Sequence, residues 1–173
     1  MIRELDAAAT EVAVPALGSL LADAVAQGAS VNFLAGFTQE AAEAFWRGQL
    51  PGLATGTTRL LVAEEGGVLM GTVLLFLATQ PNAPFRAEIG KMIVHSSRRR
   101  RGIGHALLMA AEARAATLGR ILLLLDTESG SAGDALYRAA GWVEYGRVPG
   151  HAYRPDGVLA ETTMFYKSVI CAA

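Results

Sequence analysis

Apolar and polar positions change period several times along the chain, and each change marks a predicted element. Residues 2–6 read as a short strand. Val14, Leu17, Leu21 and Val25 then fall near helical spacing and predict a helix over 10–27. Pro15 lies inside that stretch and predicts a kink or a start close to it. After a connecting loop over 28–34, a second helix is expected from Thr38 to Leu50. Ala41, Ala44, Phe45 and Gly48 line one side of it, and Pro51-Gly52 is its stop. Two apolar runs, 59–64 and 68–78, flank Gly66-Gly67, where adjacent glycines supply the positive φ angles of a hairpin turn.

The second half of the chain alternates more regularly. A strand over 87–94 leads into a basic loop, then a helix over 104–118 stopped by Gly119. The unbroken apolar run over 121–126 is what a parallel strand covered on both faces requires. Ser131-x-x-Asp134 opens a further helix through Ala140, stopped by Gly141. Residues 142–148 and 161–169 read as closing antiparallel strands, joined by a turn-rich loop with Pro149-Gly150 and Pro155-Asp156-Gly157. Strand, basic loop, helix and strand together make a βαβ unit in an α/β chain.

The 173 residues suit one domain, 1–173, with a substantial core, and 52% of them are hydrophobic. A net charge of -1 gives no overall field for a polyanion, so the arginine cluster is local and points to a compact phosphate ligand, not to nucleic acid. The single cysteine, Cys171, excludes an internal disulfide and reads as an incidental tail residue. His95, His105 and His151 lack ligand spacing and companion cysteines, so no metal is implied. The first residues lack the basic start and apolar core of a signal peptide. The apolar stretch over 68–78 is interrupted by Gly71 and too short to span a bilayer. A cytoplasmic protein with no membrane partner is the expectation.

The organising stretch runs from Ile93 to Leu108. A strand ends at Val94, four arginines follow, and Gly102 and Gly104 open a helix. Glycines let successive N–H groups converge on one oxyanion, and the helix adds its unpaired first-turn donors and the positive end of its dipole. A solvated basic turn is one reading. A dinucleotide fingerprint is another, although Leu107 occupies its third glycine position. The third rests on Arg99-x-x-Gly102-x-Gly104 directly after a strand, which resembles the pyrophosphate signature of the GNAT superfamily of acyl-CoA-dependent N-acetyltransferases. The segment 130–142, with Leu136-Tyr137-x-x-x-Gly141-Trp142, resembles that family's second motif, Trp142 standing for its Phe and Gly130 for its common Asn.

The resemblance implies a mixed, mostly antiparallel central sheet with a parallel, splayed pair of fourth and fifth strands and helices on both faces. It implies acetyl-CoA as cofactor. Arg99, Arg100, Arg101, Gly102, Ile103, Gly104, His105 and Ala106 would hold its diphosphate, with Ser131 nearby. Backbone groups of Met92, Ile93 and Val94 would meet its pantetheine arm and polarise the acetyl carbonyl. Within the family, the runs 28–33, 86–88 and 125–131 are similar to the tabtoxin-resistance acetyltransferases, which acetylate a β-lactam amino-acid toxin.

Acetyl transfer to an amine needs a base for the ammonium, a donor for the oxyanion and a proton for the thiolate. Glu88 is the first candidate base, on a strand whose alternation puts Glu88, Gly90, Met92 and Val94 on one face. An apolar setting would raise its pKa. A surface pair with Arg86 or Lys91 is the plainer reading. Asp126, at the carboxyl end of the predicted parallel strand, is the second carboxylate, or else a cap for the next turn. Tyr137 matches the family's general acid, or else packs in the core. Phe33, Phe37, Trp46 and Tyr153 are candidates for the acceptor pocket, with Glu128 as a further carboxylate. The expected acceptor is a small-molecule amine, in particular an amino-acid-like β-lactam antimetabolite. A peptide N-terminus or a polyamine, a non-catalytic acyl-CoA sensor and a nucleotide-dependent oxidoreductase remain as alternatives. A homodimer is compatible with this reading.

Overall fold

The structure, a computed structural model, describes residues 1–169, so Cys171 lies outside the described residues. Its elements run β1 (Ile2–Leu5), α1 (Ala7–Ala26), α2 (Gln39–Arg47), α3 (Leu50–Thr55), β2 (Thr58–Glu65), β3 (Val68–Leu77) and β4 (Arg86–Val94). They continue as α4 (Ile103–Thr117), β5 (Leu122–Glu128), α5 (Ala132–Ala139), β6 (Val143–Tyr153) and β7 (Leu159–Ser168). The strands form one seven-stranded sheet in the order β1-β2-β3-β4-β5-β7-β6. All neighbours are antiparallel except β4 and β5.

Strand alternation sorts the apolar residues onto two faces. Leu61, Ala63, Val73 and Leu75 pack with Leu107, Leu108 and Ala111 of α4. Leu60, Val62 and Leu74 pack with Leu17 and Leu21 of α1 and with Trp46 of α2. The α4 face also holds Trp142, whose indole N–H donates to the buried Glu112 at 2.8 Å, while Lys167 Nζ reaches the same carboxylate at 2.6 Å. That partner explains why an indole suits this position: a buried N–H needs an acceptor.

The first helix starts earlier than its periodicity suggests, because Asp6 caps it by accepting the Ala9 N–H at 2.8 Å. It runs through Pro15 to Ala26. By length and composition α1 could cross a membrane, but Val14, Leu17, Leu21 and Val25 are buried in the core. Pro51 does not stop a helix. It occupies the first turn of α3, where its missing N–H costs nothing. The predicted phase of α2 is one residue off, since its buried residues are Ala42 and Trp46, with Ala41, Ala44 and Gly48 exposed. Residues 149–151, expected in a loop, belong to β6, which shifts register between Val148 and Ala152.

Two irregularities in β4 position the site. Across β3, Leu74 pairs with Gly90 and Thr72 with Ile93, so Lys91 and Met92 together oppose Val73. Lys91 takes a φ of +47° at this bulge. One extra residue reverses the alternation. Ala87 and Ile89 pack on the α4 side, and after the bulge so do Met92 and Val94. Glu88 and Gly90 therefore do not share a face with Met92 and Val94, contrary to the expectation. They lie on the α1 side, where Gly90 borders Phe76. The second irregularity is a split. Parallel pairing joins Arg86, Ala87 and Glu88 to Leu122, Leu123 and Leu124, and then stops.

Candidate active site

Beyond that split the two strands diverge, and β4 runs into the basic loop. The His95 N–H donates to the Met70 carbonyl at 2.9 Å, so by alternation the Val94 N–H points away from β3 into the gap toward β5. Ser96–Arg98 form a short 3-10 turn. It is anchored by Asp23 of α1, whose carboxylate accepts the Ser96 N–H at 2.8 Å and the Ser96 hydroxyl at 2.7 Å. Burial alone would raise the Asp23 carboxyl, but these two bonds and the charges of His95 and Arg99 bring it below the ordinary value. Nothing in the sequence around Asp23 announces this contact, which spans two distant elements.

The loop then takes two left-handed residues, Arg100 at φ +60° and Gly102 at φ +78°. From Arg100 through His105 no backbone N–H has an acceptor among the described residues, and the last three open α4. A Cβ at Gly102 would meet nothing within 4 Å, so glycine is needed there for its φ and not for space. Gly104 has no positive φ, and a Cβ on it would touch Leu136 at 3.4 Å and Val94 at 3.7 Å. Of the residues from Arg100 through His105, all except Arg101 line a cleft of about 650 Å³, together with Gly28–Val31, Met92–Val94 and the start of α5. Arg99, Arg100, Gly102, Ile103, Gly104, His105 and Ser131 border it as expected, and Arg98 joins them. Arg101 and Ala106 do not. Arg101 is exposed outside the lining, and the Ala106 N–H already donates to the Gly102 carbonyl at 2.9 Å.

Ser131 caps α5 by accepting the Asp134 N–H at 3.2 Å, and Asp134 returns to the Gly130 N–H at 2.8 Å. This cap sets Tyr137 one turn along the helix, against the cleft. Tyr137 is placed for either of its candidate roles. Its ring packs 6.0 Å from Trp142 and from Phe165, and its side chain also lines the cleft. Burial, reinforced by the nearby Asp126 charge, raises the phenol so that it keeps its proton at neutral pH.

Glu88 and Asp126 lie outside the cleft lining, on the opposite face of the sheet. Asp126 follows Leu123 and Leu125, which pack toward α4, so it projects to the α1 side with Glu88. Glu88 keeps an exposed edge, yet partial burial raises its carboxyl, and the charge of Asp126 adds to this against weaker pulls from Arg86 and Lys91. Among the described residues Glu88 forms no ion pair with Arg86 or Lys91, and Asp126 caps no turn. The gap between β4 and β5 thus has two carboxylates on one face and the Tyr137 phenol on the other.

The candidate acceptor residues separate. Phe33 stacks on Phe37 with ring centres 4.0 Å apart and meets Phe45 edge-on at 5.5 Å, on the carboxylate face. Trp46 is fully buried and its N–H donates to the Leu17 carbonyl at 2.9 Å, so it is a core residue and not a pocket wall. Glu128 borders the cleft and pairs with Arg154 at 3.8 Å. Tyr153 stands exposed at the end of β6, and that hairpin is tied to the 28–37 loop by the Ala35 N–H bond to the Pro155 carbonyl at 2.9 Å. Lys91, which the pattern did not single out, lies beside Phe33, with Nζ 5.7 Å from its ring centre.

A model of the acetyltransferase (GNAT) family matches residues 22–142. Solved structures share the fold. An N-acetyltransferase from Staphylococcus aureus Mu50 aligns over 98% of this chain and 98% of its own, at 19% identity and a TM-score of 0.79. A ribosomal-protein-alanine N-acetyltransferase from Brucella melitensis aligns over 97% and 99%, at 24% identity and a TM-score of 0.78. A GNAT superfamily phosphinothricin acetyltransferase from Sinorhizobium meliloti, solved with acetyl-CoA, aligns over 98% and 88%, at 20% identity and a TM-score of 0.77.

Proposed function

Because the chain belongs to the acetyltransferase (GNAT) family and is therefore an N-acetyltransferase that works with acetyl-CoA, we propose that its acceptor is the amine of a small, amino-acid-like molecule. A β-lactam antimetabolite is the leading candidate, supported by the sequence runs shared with tabtoxin-resistance acetyltransferases. A cytoplasmic location and a single catalytic unit spanning 1–173 belong to the same reading. The observation that carries it is that Glu88 and Asp126 share a face at the β4–β5 split, near enough for the charge of Asp126 to raise the Glu88 carboxyl, while unpaired amides border the cleft at the same split.

Acetyl-CoA supplies the acetyl group as a thioester. The amides of Arg100 and of Gly102 to His105 hold its diphosphate, and Arg98 to Arg100 add positive charge around it. The Val94 N–H, turned into the gap, donates to the acetyl carbonyl oxygen. Asp126 holds the acceptor ammonium while Glu88 takes its proton, which frees the lone pair that attacks. Tyr137, protonated at neutral pH, donates to the departing sulfur from the other face.

An acetylation screen over amino acids, β-lactam antimetabolites and polyamines tests this reading, with the Glu88→Gln variant alongside. The base acts only when ionised and its pKa is raised. Wild-type kcat/KM should therefore climb with pH across a limb lying above the range of an ordinary glutamate, and fall away below it. Glu88→Gln should lower kcat by about 10²-fold or more and lose that limb. Turnover that survives with the limb intact would remove Glu88 from the reaction.

A further inference from the structure

Among the described residues, Lys91 is a cation on the carboxylate face that the mechanism above does not use and whose position is fixed by the bulge of β4. It occupies the β4 bulge at φ +47°, a conformation in which any residue but glycine is strained by about 1–2 kcal/mol. The bulge carries its side chain to the α1 side, where Nζ sits 5.3 Å from the Phe45 ring centre and 5.7 Å from that of Phe33. Aromatic faces attract a cation but offer it no lone pair. Among the described residues Lys91 Nζ has no hydrogen bond and no ion pair. Burial weakens its hold on the proton, while Asp126 and Glu88 pull the other way.

An ammonium held half-buried between two rings, with no acceptor, is poised for an anion that arrives from outside. The neighbours say which anion. Glu88 and Asp126, on the same face, suit the positive end of an acceptor, so Lys91 suits its negative end. A zwitterion matches both signs, whereas a polyamine would bring only positive charge to Lys91.

We propose that Lys91 binds the carboxylate of the acceptor and so selects α-amino acids or their close analogues over plain amines. This rests on the reading of Glu88 and Asp126 as the amine-side residues. Phe33 and Phe45 wall the carboxylate subsite and keep water from competing for the ammonium.

The test compares acceptors that differ only by the carboxylate: L-phenylalanine with 2-phenylethylamine, and L-lysine with cadaverine. Wild-type enzyme should prefer the acid of a pair. Lys91→Gln should erase that preference, raising KM for the acid by about 10- to 100-fold relative to the matched amine, the range of one charge-assisted hydrogen bond. The effect should fall on KM and not on kcat. Lys91→Arg should keep most of the preference. Lys91→Gly removes the charge while relieving the backbone, so it gives the same answer should the Gln variant fold poorly. An N-acetyl-L-phenylalanine titration followed by calorimetry should show the same loss in the variants without any turnover. Equal losses for acid and amine, or a preference that survives Lys91→Gln, would overturn the inference. Turnover confined to acceptors without a carboxylate would overturn it and leave the acetyltransferase reading standing. Absence of turnover for every amine would overturn both.

Discussion

The two sides of the β4–β5 split are built by opposite means. On the cleft side the donors are main-chain amides from one short stretch, Arg100 and Gly102 to His105, shaped by left-handed residues at Arg100 and Gly102. On the other side the groups are side chains delivered from separate places: Glu88 and Lys91 from β4, Asp126 from β5, Phe33 from the loop after α1 and Phe45 from α2. A backbone site depends on φ and ψ and tolerates changes of side chain. A side-chain site depends on which element packs where, and one substitution can change its chemistry without moving the chain. Each half should therefore break under a different kind of substitution.

The largest separation is expected at Tyr137, where the two sides meet. Tyr137→Phe keeps the ring packed against Trp142 and Phe165 and removes only the proton donor. It should lower kcat by about 10²-fold, the low end of general-acid effects, with coenzyme A affinity within about twofold of wild type. A parallel loss of affinity in calorimetry would mean that Tyr137 serves packing and not proton transfer.

Gly102→Val should do the reverse. With no atom within 4 Å of a new Cβ, its cost comes from placing a β-branched residue at φ +78°. That is about 2–3 kcal/mol, so coenzyme A affinity should drop by about 30- to 150-fold. Gly102→Ala should give a milder loss, whereas Gly104→Ala, with no positive φ to satisfy, should bind nearly as wild type. Equal losses at the two glycines would overturn the assignment of the effect to backbone conformation.

A smaller effect should come from Asp23, which steadies the cleft side from outside it. Asp23→Asn weakens the bonds to Ser96 and should reduce coenzyme A affinity by about fivefold, a net loss near 1 kcal/mol. The lowered pKa of Asp23 sets the direction with pH. A carboxyl held below its unfolded value stabilises the loop fully above that unfolded value, and loses the stabilisation as pH falls through the folded one. Wild-type affinity should accordingly weaken in acid more than that of Asp23→Asn, by titration at matched pH values.

The same contrast decides how much was legible in the sequence. The basic loop is contiguous, and glycines, arginines and a helix start are read directly from its letters. Glu88, Asp126 and Tyr137 are legible only as members of motifs, and the structure adds which face each one takes. Lys91 was invisible because an alternating strand gives no hint that one residue will bulge, and the φ that carries it across the sheet is imposed by pairing with β3. Trp46 was misplaced for a related reason. Residues 41, 44, 45 and 48 and residues 42 and 46 both repeat at helical spacing, and the packing against α1 selected the second set. Pro51 misled because a proline ends a helix it follows but also opens one it begins. Asp23 could not be found from sequence at all, since its partner is Ser96, far along the chain.

The independence of the two sides is tested most directly by titrating coenzyme A calorimetrically into Glu88→Gln enzyme already shown to be inactive. The backbone site predicts wild-type affinity and an unaltered binding enthalpy. An affinity that falls together with turnover would contradict it, because the carboxylate and the amides would then belong to one site.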